Sequence, residues 1–218
     1  MTRTPELIDA LVECAIPVRR LRRPLVRAWL WLAFAGLILA LLAIGHGVRG
    51  DLVARLHQPR FAMGIAAALL TGIVSAITAF VISMPDCSRR WLLLPAPAIA
   101  IWISTISHGC LTDWVSVGPD GMHLGEAARC LATVFLTSVP LSVTMLVMLR
   151  HAALLRADAV TFAGGIAVAA ITSTALSLFH NLDATVMILV WNVGATGLIT
   201  LLGTLIGRRF VLWVSQVP

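Results

Sequence analysis

Four cysteines and six histidines have the widest chemical reach in this 218-residue chain. Cys14 and Cys87 stand far apart, whereas Cys110 and Cys130 bracket 19 residues that include the turn Gly118-Pro119-Asp120-Gly121. Two thiols at that spacing can close the loop as a disulfide, worth about 3 kcal/mol by loop entropy if their Cα atoms come within about 7 Å. They can equally stay as two free, half-buried thiols. His108-Gly109-Cys110 sets an imidazole beside one of them, a donor pair that suits a metal or haem. No close, repeated ligand spacing accompanies it, so no metal is assigned, and polar residues at a water interface are the simpler reading. The chain has no Gly-rich phosphate loop, no His-Glu-x-x-His, no nucleophile elbow and no paired carboxylates at a spacing useful for catalysis. Neither an enzyme nor a cofactor is expected.

The elements that must position these groups are apolar helices. Hydrophobic residues make up 59% of the chain and charged residues 12%, with a mean hydropathy of +0.95, against about 25% charged residues in a soluble domain. Six apolar runs, at 28–48, 61–83, 91–108, 131–149, 159–179 and 184–206, each approach the roughly 20 residues that cross a hydrocarbon core. The fold expected is all-α: a polytopic membrane protein, a bundle of six transmembrane helices over residues 28–218, preceded at 1–27 by a short cytoplasmic amphipathic helix and a basic juxtamembrane segment. The net charge of +6 comes from sixteen arginines and no lysine. Arginines beside apolar spans point to a lipid bilayer and to no direct contact with nucleic acid.

Arginine placement orients the bundle. With both termini cytoplasmic, twelve arginines fall inside and four outside, although Arg49, Arg55 and Arg60 in the first outer loop run against the rule. Cys110, Cys130 and all histidines except His151 then lie at or beyond the outer ends of the spans. No Asp, Glu, Lys or Arg falls in the middle of a proposed span, which argues against a pump, a proton-coupled transporter or a voltage sensor. Hydroxyls take their place: Thr71, Ser75 and Thr78 share a face of the second span, and Thr172, Ser173, Thr174 and Ser177 crowd the fifth. They could bond across helices as packing groups, helped by close approach at Ala163-Gly164-Gly165. Pro95, Pro97 and Pro140 bend the third and fourth spans or mark their ends.

The N-terminal stretch is built differently. Thr4 suits an N-cap, Pro5 the first helical position, and Glu6 and Asp9 the positive end of a helix dipole. Leu7, Ile8, Leu11, Val12 and Ala15 recur on one helical face until Pro17 ends the run. So short a helix is marginal alone and needs a surface for its apolar side: lipid, the rest of the chain, or a partner.

Glu-Leu-Ile-Asp-x-Leu at 6–11, then Pro17-Val18-Arg19-Arg20-Leu21 and Arg23-Pro24-Leu25-x-Arg27 feeding the first span, resembles the NrsF-type family, the negative regulators of sigma F. Cys130-Leu131-Ala132 through Ser138-Val139-Pro140-Leu141 to Leu149-Arg150 resembles the family's fourth span. His180-Asn181, Trp191-Asn192 and Gly207-Arg208-Arg209 resemble its C-terminal third. The resemblance implies a bacterial inner-membrane anti-sigma factor that holds an extracytoplasmic-function sigma factor until an envelope signal, oxidative or metal, arrives. Residues 5–16 would bind that factor, with Leu7, Ile8, Leu11 and Val12 as anchors. Arg19 and Arg20 would steer an acidic partner or serve as a positive collar beside the span. Oxidant- or metal-sensing members carry one outer cysteine at the position of Cys130 and another directly after the histidine of the last outer connection. That second position is Asn181 here, which leaves Cys110 as the replacement for the missing thiol. Two other classes fit the residues: a small transporter or channel subunit for a neutral substrate, lined by the hydroxyl-rich spans, and a membrane metal or haem protein using the outer histidines.

Overall fold

The computed structural model describes residues 22–84, 86–113, 124–150 and 157–179, and the described regular structure is entirely helical. The helices are α1 (Pro24–His46), a short α2 (Leu52–Leu56), α3 (Pro59–Ile82), α4 (Ala96–Asp113), α5 (Leu124–Leu149) and α6 (Ala157–Phe179). Four stretches are long and apolar enough to cross a membrane: Pro24–Gly45, Pro59–Ile82, Ala132–Leu149 and Asp158–Phe179. They match four of the six apolar runs. The sixth run, 184–206, lies outside the described residues.

The third run is not one continuous rod. Residues Arg89–Leu93 form a 3₁₀ turn and α4 starts at Ala96, leaving an apolar helical stretch, Arg90–Thr105, shorter than the other four. Pro95 and Pro97 fall at the break: each lacks the backbone donor that would continue the hydrogen-bond ladder of the preceding turn, whereas the first turn of α4 tolerates Pro97. Pro140 instead lies inside α5. Around it, the Thr144 hydroxyl donates to the Pro140 carbonyl at 2.7 Å and the Thr137 hydroxyl to the Thr133 carbonyl at 2.8 Å.

Prolines also set where the spans begin. Pro24 and Pro59 occupy the first turns of α1 and α3, where a missing N–H leaves nothing unbonded. α1 stops at Gly47, whose φ of +75° is open to glycine and strained for other residues. α3 stops at Ser83, whose hydroxyl donates to the Phe80 carbonyl at 2.7 Å.

α3 and α6 make the most extensive contact and form the centre of the bundle; α4 flanks α3, and α1 and α5 pack on each other and on the central pair. Burial follows this order, with 67% and 61% of the central spans buried against 22% for α1 and 33% for α5. The central interface is built from small residues. Ala68, Thr71, Gly72, Ser75, Ala76 and Ala79 of α3 are buried, as are Ala163, Ala167, Ala170, Thr172 and Ala175 of α6. Between apolar helices in lipid no hydrophobic force remains, so association rests on close packing, which small side chains permit. Gly72 is the tightest point, since a Cβ there would sit 2.8 Å from Ile171 Cδ1 and 3.0 Å from its Cγ1. α1 joins through Trp31, which is fully buried and donates from Nε1 to the Leu141 carbonyl of α5 at 3.1 Å.

Among the described residues of these two helices the hydroxyls act as packing groups rather than as bonds across helices. Thr174 donates to the Ala170 carbonyl at 3.0 Å and Ser177 to the Ser173 carbonyl at 3.0 Å, each within its own helix. Thr71, Ser75, Thr78 and Thr172 are buried with no partner.

Gly72→Ala should therefore lower stability in detergent by about 1–3 kcal/mol, the usual range for overpacking. Adding Ile171→Val, which deletes the clashing Cδ1, should restore part of the loss in a thermal unfolding series. Equal effects of Gly72→Ala in both backgrounds would show that the two positions do not meet.

Candidate functional site

The structure addresses the two ends of the bundle rather than the N-terminal segment itself. Leu7, Ile8, Leu11, Val12, Arg19 and Arg20, the residues expected to hold a partner, lie outside the described residues. The point at which that segment joins the bundle is described. Arg22 and Arg23 are exposed just before Pro24, and α1 then runs inward with Arg27, Ala28, Trp31 and Ala35 on its buried face. The helix that follows that segment is anchored at Trp31.

Cys110 falls in the last turn of α4 and Cys130 in the second turn of α5. Chain direction puts both at the end of the bundle opposite Pro24. The environments of the two thiols, and hence their pairing, lie outside the described residues, as do Cys14 and Asn181. The two helices meet different neighbours: α4 packs on α3, whereas α5 packs on α6 and α1. Cys130 thus belongs to the helix whose Leu141 carbonyl receives the Trp31 hydrogen bond. Cys87 is half-buried in the turn after α3. Among the described residues no group of three His, Cys, Asp or Glu side chains could hold a metal.

The hydroxyl-rich face, the feature on which a transport pathway would depend, is closed. Thr71, Ser75, Thr78 and Thr172 are each 0% exposed, and Gly72 on the same helix faces Ile171 of α6 closely.

At the same end as Cys110 and Cys130, the connection between α1 and α3 carries an ion-paired latch that sequence reasoning missed. Arg49 is buried to 6% exposure and grips Asp51 with both arms of its guanidinium, Nε to Oδ1 at 2.6 Å and Nη2 to Oδ2 at 2.9 Å. Its Cζ lies 5.7 Å from the centre of the Phe61 ring of α3, and its backbone N–H donates to the Leu178 carbonyl of α6 at 3.2 Å. A cation is favourable at the negative end of a helix, so one residue ties the loop to α3 and α6 together. Arg55 approaches the same carboxylate, Nε to Oδ2 at 3.4 Å. These are two of the arginines that run against the positive-inside count, and both meet Asp51. An Arg and an Asp two residues apart, between a glycine and a short helix, were the available sequence signal.

The family described as negative regulator of sigma F matches residues 11–213. That range takes in Leu11, Val12, Arg19, Arg20, Cys110 and Cys130, while Leu7 and Ile8 precede it. No curated protein and no solved structure matches the chain significantly.

The latch predicts a pH dependence. The Arg49 hydrogen bond holds the Asp51 carboxyl below its ordinary value of 3.8. A carboxylate with a lowered folded pKa contributes its stability above the ordinary value and loses it as pH falls through the lowered one. Amide protection in residues 49–56, taken relative to the intrinsic exchange rate at each pH, should accordingly stay level from neutral pH to near 4 and fall only below that. Asp51→Asn should show the lowered protection already at neutral pH, and wild-type protection that falls between pH 7 and 5 would contradict the assignment.

Proposed function

The chain belongs to the negative-regulator-of-sigma-F family, and on that premise we propose that it is a membrane-anchored anti-sigma factor. It sequesters an extracytoplasmic-function sigma factor at the bacterial inner membrane, with both termini cytoplasmic. The family match over 11–213 carries this reading. The amphipathic helix at 5–16 supplies the binding surface: Leu7, Ile8, Leu11 and Val12 enter an apolar groove of the partner, and Arg19 and Arg20 steer its acidic side. The regulator acts by holding and releasing, not by turnover.

Release needs a difference in affinity between two states of the bundle. A tenfold change corresponds to about 1.4 kcal/mol of coupling. The physical route open to it begins at Cys130, runs along α5 to Leu141, crosses to Trp31, and descends α1 to the segment that binds the partner. In this chain Asn181 stands two residues beyond α6, where sensing relatives have their second cysteine, and Cys110 takes over the pairing with Cys130. Disulfide formation, or modification of either thiol, then shifts α5 against α4.

Three measurements test the scheme. The detergent-extracted intact chain should retain a sigma factor that a version lacking residues 5–16 does not; retention by both would remove the helix from the interface. Non-reducing peptide mapping after oxidation should recover Cys110 joined to Cys130, and finding both as free thiols would end that assignment. Trp31→Phe, which keeps an aromatic ring but deletes the buried donor, should leave partner binding within about twofold and reduce the oxidant-induced drop in affinity several-fold.

A further inference from the structure

Among the described residues, Arg27 is a buried cation with no counter-charge. It lies in the first turn of α1 at 6% exposure, and neither Nη1 nor Nη2 has a hydrogen-bond partner. Its only described companion is the face of Phe80, whose ring centre is 5.3 Å from the guanidinium carbon. A buried guanidinium held only by an aromatic face is incomplete, because burial strips its water and a ring cannot accept its in-plane N–H groups. The described carboxylates at this end, Asp86 and Asp158, are exposed, and neither pairs with it.

The surroundings point to the missing group. α1 begins here without a side-chain cap and without an acidic residue in its first turn, so its N-terminal N–H groups add positive potential to that of Arg27. Arg22 and Arg23 are exposed immediately before it, and Arg90 is exposed on the turn after α3. Trp29, 63% exposed, and Trp91, 43% exposed, stand at the same end, where amphipathic rings mark the headgroup level of a bilayer. A cation fork at headgroup level, flanked by basic side chains, has the chemistry of a phosphate receptor.

We propose that Arg27 is the centre of a phosphate-binding site between α1 and α3, filled by the headgroup of an anionic phospholipid. To bind, the fork turns out of its enclosed seat beside Phe80 to donate to two phosphate oxygens, and the first turn of α1 faces a third. The inference goes beyond sigma-factor binding and rests on placing the bundle in a membrane, not on the partner. It makes the seating of α1, and through it the N-terminal segment, responsive to lipid composition.

The test uses the full chain in nanodiscs of phosphatidylcholine, whose phosphate is already balanced by choline, and of phosphatidylcholine mixed with phosphatidylglycerol. The wild type should unfold at a higher temperature in the mixture and keep phosphatidylglycerol in native mass spectrometry. Arg27→Met removes an unpaired buried charge and replaces it with an apolar side chain of similar length. It should be more heat-stable than the wild type in phosphatidylcholine and gain nothing from phosphatidylglycerol. Arg22→Gln with Arg23→Gln should keep most of the gain. If inorganic phosphate alone reproduces the wild-type shift in phosphatidylcholine, the phosphate chemistry stands and its source is soluble rather than lipid. A wild type indifferent to both phosphate sources overturns the site, as does an Arg27→Met variant that still gains from phosphatidylglycerol.

Discussion

The contact between α3 and α6 is the constraint on which the bundle depends. Two apolar helices in a hydrocarbon solvent have no reason to associate unless their surfaces fit better with each other than with lipid tails. Here the fit comes from alanine, glycine, serine and threonine, which let the backbones approach until Gly72 has no room for a methyl group beside Ile171. Hydroxyls at this seam give little direct bonding: four of them, Thr71, Ser75, Thr78 and Thr172, are buried and unpaired. Their contribution is size and shape. The other helices are positioned relative to this pair, with α4 on one flank and α1 with α5 on the other.

That arrangement separates two tasks along the chain. α5 carries Cys130 near one end and the Leu141 carbonyl nearer the other, and α1 carries Trp31 close to the segment that leads back to the N-terminus. In the proposed regulator, a chemical event at one face and a binding event at the other meet at a single buried hydrogen bond. A peripheral pair suits this role better than the central one, because α1 and α5 can shift without opening the tight Gly72 seam.

Much of the helical frame was legible from the residues. Apolar runs located α1, α3, α5 and α6, and Pro24 and Pro59 mark where two of them start. The 91–108 run was read as one span because hydropathy averages over Pro95 and Pro97, which divide it into a 3₁₀ turn and α4. Arg27 reads in sequence as one more member of a basic collar. Its burial follows from helical phase: it shares a face with Trp31 and Ala35, and only knowledge of which face meets Phe80 could separate it from Arg22 and Arg23. Gly72 was illegible for a similar reason, since its crowding depends on a side chain about a hundred residues away. The binding anchors Leu7, Ile8, Leu11 and Val12 and the thiols Cys110 and Cys130 rest on the sequence and on the family.

The latch at Arg49 has a consequence for biogenesis. A hairpin of two spans enters a membrane with its connecting loop carried across the hydrocarbon, and each unpaired arginine in that loop raises the barrier. Between Gly47 and Gln58 the chain has Arg49, Arg55 and Asp51, and the folded loop sets both arginines on the one carboxylate, leaving one net positive charge there, to which Arg60 in the first turn of α3 adds a second. The backbone N–H of Arg49 also fastens the loop to the end of α6, a helix made more than a hundred residues later. The ion pair is local and can form as soon as the hairpin does, whereas the hold on Leu178 waits until α6 has been made.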